Sequence, residues 1–486
     1  MFFQGESGRV KIDPVTMEVT RNALFTVTEE MGVCLQRSAY SSNIKTRLDF
    51  SCSIFDSQLR NIVQDLKIPS LLGALVNIVP SAIREYGVER LEPGDGIITN
   101  DPFRGGTHLP DVTMITPFFH GGEVFAYIAN VAHHQDIGGR APGSVPGDTT
   151  EIYQEGLIIP PTRLVKDMEI DKDILNLILA NVRAPWERAG DYRAQVAANK
   201  LGVKLLSDLI DKYGAETLKA YMEEILNYTE RRMRKELEEI PSGRYRAEDY
   251  LDSHGVNPEP IKIAVEVTVK GGDVVIDLSP SDRQGPGPMN STFSPTLSAV
   301  TYIFKCLTDP DIPVNDGMYR PLHIVAPPGS VVNALPPAAT AGCWEVAQRV
   351  SEVVMKALAE PLRDRIMAAG KGIICNISFG GIDPRYNRPY AFLETVGGGY
   401  GARPTMDGMD GVQYHLTNTQ NAHIEELELT YPVRIECYGL IPDSEGPGRF
   451  RGGMGIRRDY YFYDHVCTFS VLADRAVFPP WGLFGG

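Results

Sequence analysis

Cysteines are few in this sequence and are never paired. The seven cysteines are scattered singly among 486 residues, without a C-x-x-C pair and without compact disulfide spacing. Regular cysteine spacing is the mark of a disulfide framework in a small secreted domain. Its absence predicts that these thiols are reduced.

Long apolar runs are also missing. No stretch approaches the ~18 uninterrupted apolar residues that a membrane-spanning helix needs. The chain does not open with a basic segment followed by an apolar run, as a secretory signal does. The opening residues Met1 to Ser7 include Phe-Gln-Gly, which is typical of a protease-cleaved tag and carries no information on the fold. We therefore expect a cytoplasmic protein without a membrane partner.

Basic residues are outnumbered by acidic ones. The chain has 47 Lys and Arg against 62 Asp and Glu, which gives a formal net charge of −15. A negative field of this size repels the phosphates of nucleic acids and anionic lipid headgroups. The charge balance predicts that nucleic acid is not a partner.

The remaining composition is that of an ordinary globular protein. Apolar residues make up 43% and charged residues 22% of the chain, without a long biased tract, which argues against a disordered or fibrous protein. A single hydrophobic core usually stops growing at about 250–300 residues, so a chain of this length is expected to form about two or three domains.

Helical and strand patterns occur in separate blocks along the chain. Apolar residues recur at helical spacing from Pro14 to Gln36, and residues 171–240 are almost wholly helical in pattern. Strand patterns are found at residues 49–56, 96–99, 112–119, 124–132, 261–269 and 274–278. Because blocks of this kind are typical of α+β folds, the sequence predicts a multidomain α+β protein with mixed or antiparallel sheets and a helical section in the middle.

The same blocks predict three regions. An α+β region with the candidate metal site spans residues 1–165, a helical section spans residues 166–240, and a second α+β domain with glycine-rich loops spans residues 241–486. The third region begins at the turn signal Pro241-Ser242-Gly243. It includes a predicted helix over residues 341–367.

Histidine and aspartate are concentrated in two short segments. The first contains His108 and Asp111, and the second contains the adjacent residues His133 and His134. Imidazole and carboxylate groups together suit a borderline divalent cation such as zinc or manganese, whereas calcium and magnesium prefer all-oxygen sites. A single buried histidine is more often a hydrogen-bonded structural residue. The prediction of a metal or catalytic site therefore depends on the two segments facing each other.

A β-hairpin would bring these two segments together. His120-Gly121-Gly122-Glu123 is a strong turn signal between two predicted strands. Because side chains alternate along a strand, only one of the adjacent histidines can share a face with Asp111. A two-residue Gly-Gly loop would favour His134 and a three-residue loop would favour His133. The local pattern does not decide between them.

Specific short motifs are spread along nearly the whole chain. They include Thr46-Arg47-Leu48-Asp49-Phe50-Ser51-Cys52, Asn100-Asp101-Pro102, His133-His134-Gln135-Asp136-Ile137-Gly138-Gly139, Glu155-Gly156-Leu157-Ile158-Ile159-Pro160-Pro161, Asp191-Tyr192-Arg193-Ala194-Gln195, Glu394-Thr395-Val396-Gly397-Gly398-Gly399 and Phe450-Arg451-Gly452-Gly453. Together these motifs resemble those of the hydantoinase B/oxoprolinase family. That family includes subunits of ATP-dependent hydantoinases, 5-oxoprolinases, caprolactamase and the acetone and acetophenone carboxylases.

The resemblance implies a set of metal ligands. By their positions in the matching motifs, His108, Asp111 and His133 would bind a divalent cation, and Asp49 would be the fourth ligand. The resemblance therefore assigns His133, rather than His134, to the site. Zinc is the expected metal, with manganese or iron as alternatives.

The resemblance also implies two residues for proton transfer. Asp136 would lie near the metal, where it would orient a ligand or act as general base, and Glu155 is a further candidate. With these residues, the expected reaction is metal-assisted hydrolysis.

The activity implied by the resemblance requires a partner. The chain would be the metal-binding hydrolytic subunit of an ATP-dependent cyclic amide hydrolase, which opens a hydantoin, 5-oxoproline or lactam ring. A hydantoinase A-like subunit would bind ATP and phosphorylate the substrate, and the two subunits would form a hetero-oligomer. In agreement, this chain has no G-x-x-x-x-G-K-[ST] loop, and Gly397–Gly401 does not complete G-x-G-x-x-G. Those glycines instead predict a tight turn or a close approach of two backbone segments.

Two other functions are compatible with the same motifs. One is a subunit of an acetone- or acetophenone-type carboxylase, in which the site would hold a ketone-derived substrate. The other is a non-catalytic scaffold subunit of a larger complex. The scaffold function predicts no bound metal and no loss of activity when His108 is replaced.

Overall fold

Antiparallel and mixed β-sheets, together with a block of long helices, make up the described part of the chain. The computed structural model describes residues 12–486, and the opening segment with Phe-Gln-Gly lies outside them. The predicted α+β class with mixed and antiparallel sheets is confirmed. Within residues 12–486, none of the helices combines the length and apolarity that crossing a bilayer requires.

The first seven strands form one antiparallel sheet. In chain order they are β1 (Phe50–Asp56), β2 (Asn61–Gln64), β3 (Gly96–Thr99), β4 (Asp111–His120), β5 (Glu123–His133), β6 (Thr162–Lys166) and β7 (Glu169–Ile170). Across the sheet their order is β2-β1-β5-β4-β3-β6-β7. The hairpin of β4 and β5 therefore lies in the middle of the sheet, with a neighbouring strand on each side.

Two glycines close this hairpin. Gly121 and Gly122 have φ angles of 64° and 87°, the left-handed region that a two-residue type I′ turn needs at both positions and that glycine adopts without strain. On either side of the turn His120 pairs with Glu123. Away from the turn both strands are buried, so the hairpin forms part of the protein core.

The α-helices are distributed along the whole described part of the chain. They are α1 (Pro14–Ser38), α2 (Ser42–Lys45), α3 (Ala74–Tyr86), α4 (Lys172–Leu179), α5 (Pro185–Tyr213), α6 (Ala215–Leu237), α7 (Phe293–Leu307), α8 (Asp316–Tyr319), α9 (Cys343–Leu358) and α10 (Ile424–Thr430). Helix α1 begins where the Asp13 side chain accepts a hydrogen bond from the Thr16 N–H, as expected of an N-cap aspartate. Helices α1, α5 and α6 share one apolar cluster with the first sheet.

Three smaller sheets follow the helical section. The second sheet contains β8 (Gly243–Leu251), β9 (Ile261–Lys270), β10 (Asp273–Asp277) and β11 (Leu322–Val325), and only the β10–β11 pair is parallel within it. The third sheet contains β12 (Asn376–Asp383), β13 (Arg388–Thr395) and β16 (Cys467–Leu472), and β14 (Val433–Leu440) pairs with β15 (Ile456–Phe462).

One apolar core joins the first sheet to the region after residue 241. It contains Ile97 and Tyr127 from the first sheet, Val265 from the second sheet, and Val350 and Val354 from α9. The boundary predicted at residue 241 marks a change from helix to strand, and the apolar core continues across it. This packing brings α9 close to the end of the β4–β5 hairpin.

The glycine-rich loop packs tightly against other backbone segments. A Cβ atom on Gly399 would lie 1.9 Å from the carbonyl oxygen of Gly453, and one on Gly401 would lie 1.8 Å from that of Ala368. A larger residue at either position would displace backbone. The predicted close approach of backbone segments is confirmed.

Candidate metal centre

Two imidazoles and one carboxylate meet at the open end of the β4–β5 hairpin. The metal-ligating atoms of His108, Asp111 and His133 all lie within 4.8 Å of one another. His108 Nδ1 is 2.9 Å from Asp111 Oδ2, and His133 Nδ1 is 3.2 Å from Asp111 Oδ1. All three side chains are buried. The structure thus brings together three of the four residues that the family resemblance implies as ligands.

The ends of two strands and the preceding turn position these side chains. Asp111 begins β4 and pairs with His133, which ends β5; residues directly opposite each other in an antiparallel pair project to the same face. His108 lies in the turn before β4, where its carbonyl oxygen accepts a hydrogen bond from the Asp111 N–H. The Thr107 hydroxyl donates a hydrogen bond to Asp111 Oδ2, which fixes the carboxylate between the two rings.

A β-bulge decides which histidine joins the cluster. The two-glycine loop is present, and without a further irregularity it would place His134 on the same face as Asp111. Between Phe118 and Phe119, however, the pairing with β5 shifts by one residue, as an extra residue in one strand requires. The shift brings His133 opposite Asp111. The expectation that a two-residue loop selects His134 is therefore wrong, because the bulge reverses its effect.

His134 lies on the opposite face, against α5. Its Nε2 is 3.0 Å from Gln195 Oε1, and its ring centroid is 4.5 Å from that of Tyr192. Gln195 also donates a hydrogen bond to the carbonyl oxygen of Val112 in β4. Burial lowers the pKa of His134 to about 4, so the ring is neutral near pH 7. These contacts give His134 a structural role in holding the hairpin against α5.

An unpaired buried nitrogen makes the cluster suitable for a cation. His133 Nε2 is buried and has no hydrogen-bond partner within the described part of the chain, whereas buried polar atoms are normally hydrogen-bonded. His108 Nδ1 is buried as well, and its contact is the one with Asp111 Oδ2. Burial alone would raise the pKa of Asp111, but the two imidazoles hold it far below its ordinary value. An ionised carboxylate beside available imidazole nitrogens fits zinc, manganese or iron.

Asp49 lies beside the cluster but is not one of its three members. Its carbonyl oxygen accepts a hydrogen bond of 3.0 Å from the His133 N–H, which ties the start of β1 to the end of β5. Burial raises the pKa of Asp49, and the nearby charge of His133 acts in the opposite direction. A role for Asp49 as fourth ligand stays a prediction.

Asp136 is fully engaged by the loop that follows β5. Its Oδ1 accepts hydrogen bonds from the backbone N–H groups of Gly138 and Arg183, at 2.9 and 2.8 Å. Its Oδ2 accepts them from the Gly143 N–H and the Arg183 guanidinium, at 3.1 and 3.0 Å. With two donors on each oxygen, this carboxylate holds the loop in shape. The structure does not bring it into the metal-ligand cluster.

Glu155 joins the first region to the segment before α9. Its Oε1 accepts hydrogen bonds from the Thr149 hydroxyl and the Ala341 N–H, at 2.8 and 2.9 Å, and the Thr340 N–H is 3.0 Å from each of its carboxylate oxygens. Burial raises the pKa of Glu155 to about 7, although these hydrogen bonds and the charge of His108 oppose it. Glu155 is thus close to the cluster, with its carboxylate already surrounded by donors.

Helix α9 contributes a residue that the sequence motifs did not indicate. Glu345 is fully buried in the first turn of α9, next to Trp344, whose ring meets that of His108 edge to face with centroids 6.0 Å apart. Burial raises the pKa of Glu345 to about 7. No local signal could have found it, because only the fold brings α9 to the hairpin. The neighbouring Cys343 is buried and its pKa is raised by that burial, as expected of a structural thiol.

Two cavities lie away from the centre. One of about 560 Å³ is lined in part by Arg60, Arg84 and Asp316, and the other, of about 400 Å³, by Phe118 and Met168. Neither cavity is lined by a residue of the cluster.

Comparison with known proteins places the chain in a family. Residues 13–486 match the model of the Hydantoinase B/oxoprolinase family. The chain is 40% identical to an uncharacterized protein of Methanocaldococcus jannaschii, over 98% of this chain and 83% of that protein. It is 34% identical to the putative D-/L-hydantoinase B component of a Pseudomonas species, over 98% and 82%. It is 32% identical to the 5-oxoprolinase of Dictyostelium discoideum over 98% of its own length, but spans only 37% of that protein.

Two solved structures are similar to this chain. The ATP-dependent caprolactamase from Pseudomonas jessenii superposes with a TM-score of 0.86 and 32% identity, over 93% of this chain and 79% of that one. Nucleotide-free acetone carboxylase superposes with a TM-score of 0.91 over 97% of this chain and 65% of that one, and at 17% identity this likeness shows the fold alone. Because the family model covers nearly all of the chain, the protein belongs to the hydantoinase B/oxoprolinase family.

Proposed function

We propose that this chain is the metal-binding hydrolytic subunit of an ATP-dependent cyclic amide hydrolase, which opens a hydantoin, 5-oxoproline or lactam ring. The observation that carries the proposal is the buried cluster of His108, Asp111 and His133, in which an imidazole nitrogen is left unpaired. The names of family relatives, which are a hydantoinase component, 5-oxoprolinase and caprolactamase, support cyclic amides as the substrate class.

The proposed cofactor is a divalent cation held by His108, Asp111, His133 and, as fourth ligand, Asp49. Zinc is preferred for this donor set, with manganese or iron as alternatives. When bound, such a cation lowers the pKa of water and stabilises negative charge that develops on the substrate oxygen. The chain prepares the site beforehand, because the carboxylate of Asp111 orients both imidazoles.

The proposed partner is a hydantoinase A-like subunit that binds ATP. It would phosphorylate the amide oxygen, and the activated imidate phosphate would pass to this chain within a hetero-oligomer. The lack of a G-x-x-x-x-G-K-[ST] loop in this sequence supports the assignment of ATP to the partner.

Asp136 and Glu155 are proposed to shape the site. The donors around Asp136 keep the loop after β5 in place. Those around Glu155 hold the start of α9 beside His108. Proton transfer by Asp136 or Glu155, which the family resemblance implies, stays a prediction.

Elemental analysis tests the proposal. We expect about one zinc, manganese or iron per chain in the purified wild type and loss of most of it in His108→Ala. His120→Ala is the matched control, because His120 is an exposed histidine in the hairpin turn, and it should keep the metal. Absence of metal from all three proteins would overturn the proposal and favour a scaffold subunit. Bicarbonate-dependent ATP consumption with a ketone by the complex would instead assign the chain to a carboxylase.

A further inference from the structure

A buried carboxylate oxygen without a donor lies beside the candidate metal centre. Glu345 is 0% exposed, and its Oε2 has no hydrogen-bond partner among residues 12–486. Its Oε1, by contrast, accepts a hydrogen bond of 3.1 Å from Asn376 Nδ2. A buried polar atom without a partner costs free energy. Oε2 is therefore an acceptor for a donor that the described residues do not supply.

The surroundings of Glu345 point to the metal centre as the source of that donor. The adjacent Trp344 lies edge-on against His108, and the charge of His108 acts on Glu345. The other nearby cation is Lys371, whose Nζ is already used by the carbonyl oxygens of Ile374 and Val396. The charge of Asp474 also acts on Glu345, and that of Glu345 acts on Cys375. The backbone N–H of Glu345 itself, which lowers the pKa of the carboxyl, donates to the Gly342 carbonyl oxygen. None of these groups donates to Oε2.

The carboxylates of Asp136 and Glu155 differ from that of Glu345 in their hydrogen-bond donors. Asp136 accepts two hydrogen bonds on each oxygen, from backbone N–H groups and the Arg183 guanidinium. Both oxygens of Glu155 lie 3.0 Å from the Thr340 N–H, and Oε1 has further donors. Of these three acidic residues, Glu345 alone has a carboxylate oxygen without a hydrogen-bond donor.

Resting on the proposed function, we propose that Glu345 is a further catalytic residue, whose Oε2 contacts the nitrogen of the substrate's C–N bond and carries protons to it. Water adds to the carbon of the phosphorylated amide and forms a C–O bond. Cleavage of the C–N bond then gives an acyl phosphate and an amine, and both protons of the water end on the nitrogen. Glu345 Oε2 accepts each proton as an O–H bond breaks and donates it to the nitrogen, so the carboxylate is restored.

The contact between Glu345 Oε2 and a ligand nitrogen can be tested without turnover, with a metal-chelating ligand that has a free N–H group. Acetohydroxamic acid chelates divalent cations through its two oxygen atoms and leaves its N–H free, whereas N-methylacetohydroxamic acid lacks that donor. The chain is loaded with cobalt(II), and each compound is titrated while the visible absorption of the metal is followed. If Oε2 accepts the N–H, the wild type should bind acetohydroxamic acid about tenfold more tightly than the N-methyl compound, as a charge-assisted hydrogen bond predicts.

Glu345→Gln reverses the polarity of the contact while its shape is kept. Asn376 Nδ2 donates to the Oε1 position, so the glutamine carbonyl is expected to take that position and the NH2 group that of Oε2. The variant therefore presents a donor to the ligand N–H, and its preference should fall to about twofold or less. Glu345→Met, which has no strong acceptor, is a second variant with the same expectation. Glu360→Gln, at an exposed carboxylate just after α9, should behave as the wild type.

The outcomes separate this inference from the proposed function. A cobalt spectrum in every variant, with an unchanged preference for acetohydroxamic acid in Glu345→Gln and Glu345→Met, would overturn the role of Glu345 and leave the metal centre in place. Lack of cobalt binding by the wild type would overturn both. Loss of the preference in both variants, with retention in Glu360→Gln, is the expected result.

Discussion

Asp111 and His133 face each other across the ends of β4 and β5, with Oδ1 of the carboxylate 3.2 Å from Nδ1 of the ring. The same carboxylate lies 2.9 Å from His108 Nδ1, so one side chain orients both imidazoles. This pairing depends on the bulge between Phe118 and Phe119. A shift of one residue in strand register near the hairpin turn therefore determines which histidine joins the metal centre.

Adjacent histidines are expected to respond in opposite ways to substitution. His133→Ala removes a side chain of the cluster and should lose most of the bound metal, as measured by elemental analysis. His134→Ala should keep about one metal per chain but lower the free energy of unfolding by about 1–3 kcal/mol, because it leaves Gln195 Oε1 without its partner. Loss of metal from His134→Ala, with retention in His133→Ala, would mean that His134 rather than His133 shares a face with Asp111.

Local signals predict the hairpin but not its bulge. The predicted strands 112–119 and 124–132 agree with β4 and β5 to within one residue at each end, because alternation and the Gly-Gly turn are local properties. A bulge depends on how β5 packs against its neighbours, and the apolar pattern is much the same with or without it. The helix predicted over residues 341–367 ends earlier, at Leu358, because Pro361 disfavours the helical conformation of the residue before it.

Long-range contacts explain the rest of what the sequence could not predict. Asp136 follows the two histidines closely in sequence, yet the chain turns at Gly138 and the carboxylate faces the backbone of its own loop. Glu345 and His108 are far apart along the chain, and only the packing of α9 against the hairpin brings them together. Family motifs identify residue types by position, whereas the hydrogen-bond partners of each carboxylate require the fold.

Asp136→Asn is expected to affect stability more than metal binding. The substitution removes the charge that pairs with Arg183 and places an NH2 group against a donor. The free energy of unfolding should fall by about 2–4 kcal/mol, with metal content unchanged. Asp148→Asn is the control, because Asp148 pairs with Arg140 at the surface and should change stability by less than about 0.5 kcal/mol. Unchanged stability together with lost turnover in the complex would point to proton transfer by Asp136 instead.

Neutralising Glu345 should flatten the pH dependence of stability of the metal-free chain. Burial raises the pKa of Glu345 from 4.5 to about 7. Between these values the folded chain keeps a proton that the unfolded chain releases, so stability falls as the pH rises through this window. The loss amounts to at most about 1.4 kcal/mol per pH unit.

Urea unfolding in the presence of a chelator, at several pH values between about 4.5 and 8, measures this effect. The stability of Glu345→Gln should fall less steeply with pH than that of the wild type below about pH 7, and the two curves should run parallel above it. Glu360→Gln serves as the control and should follow the wild type throughout. Parallel curves for Glu345→Gln and the wild type over the whole range would show that Glu345 ionises normally.

Ring opening is expected to require both the partner and ATP. The sequence has no phosphate-binding loop of the G-x-x-x-x-G-K-[ST] type, and the proposed reaction begins with a phosphorylated amide. The metal-loaded chain alone should therefore leave hydantoin, 5-oxoproline and caprolactam intact, with or without ATP. With a hydantoinase A-like subunit and ATP, one of these substrates should be opened and ADP released in proportion. A complex that contains His108→Ala should lose ring opening, because the activated substrate is no longer hydrolysed at the metal centre. Opening of any of these rings by the isolated chain without ATP would contradict the division of labour between the two subunits.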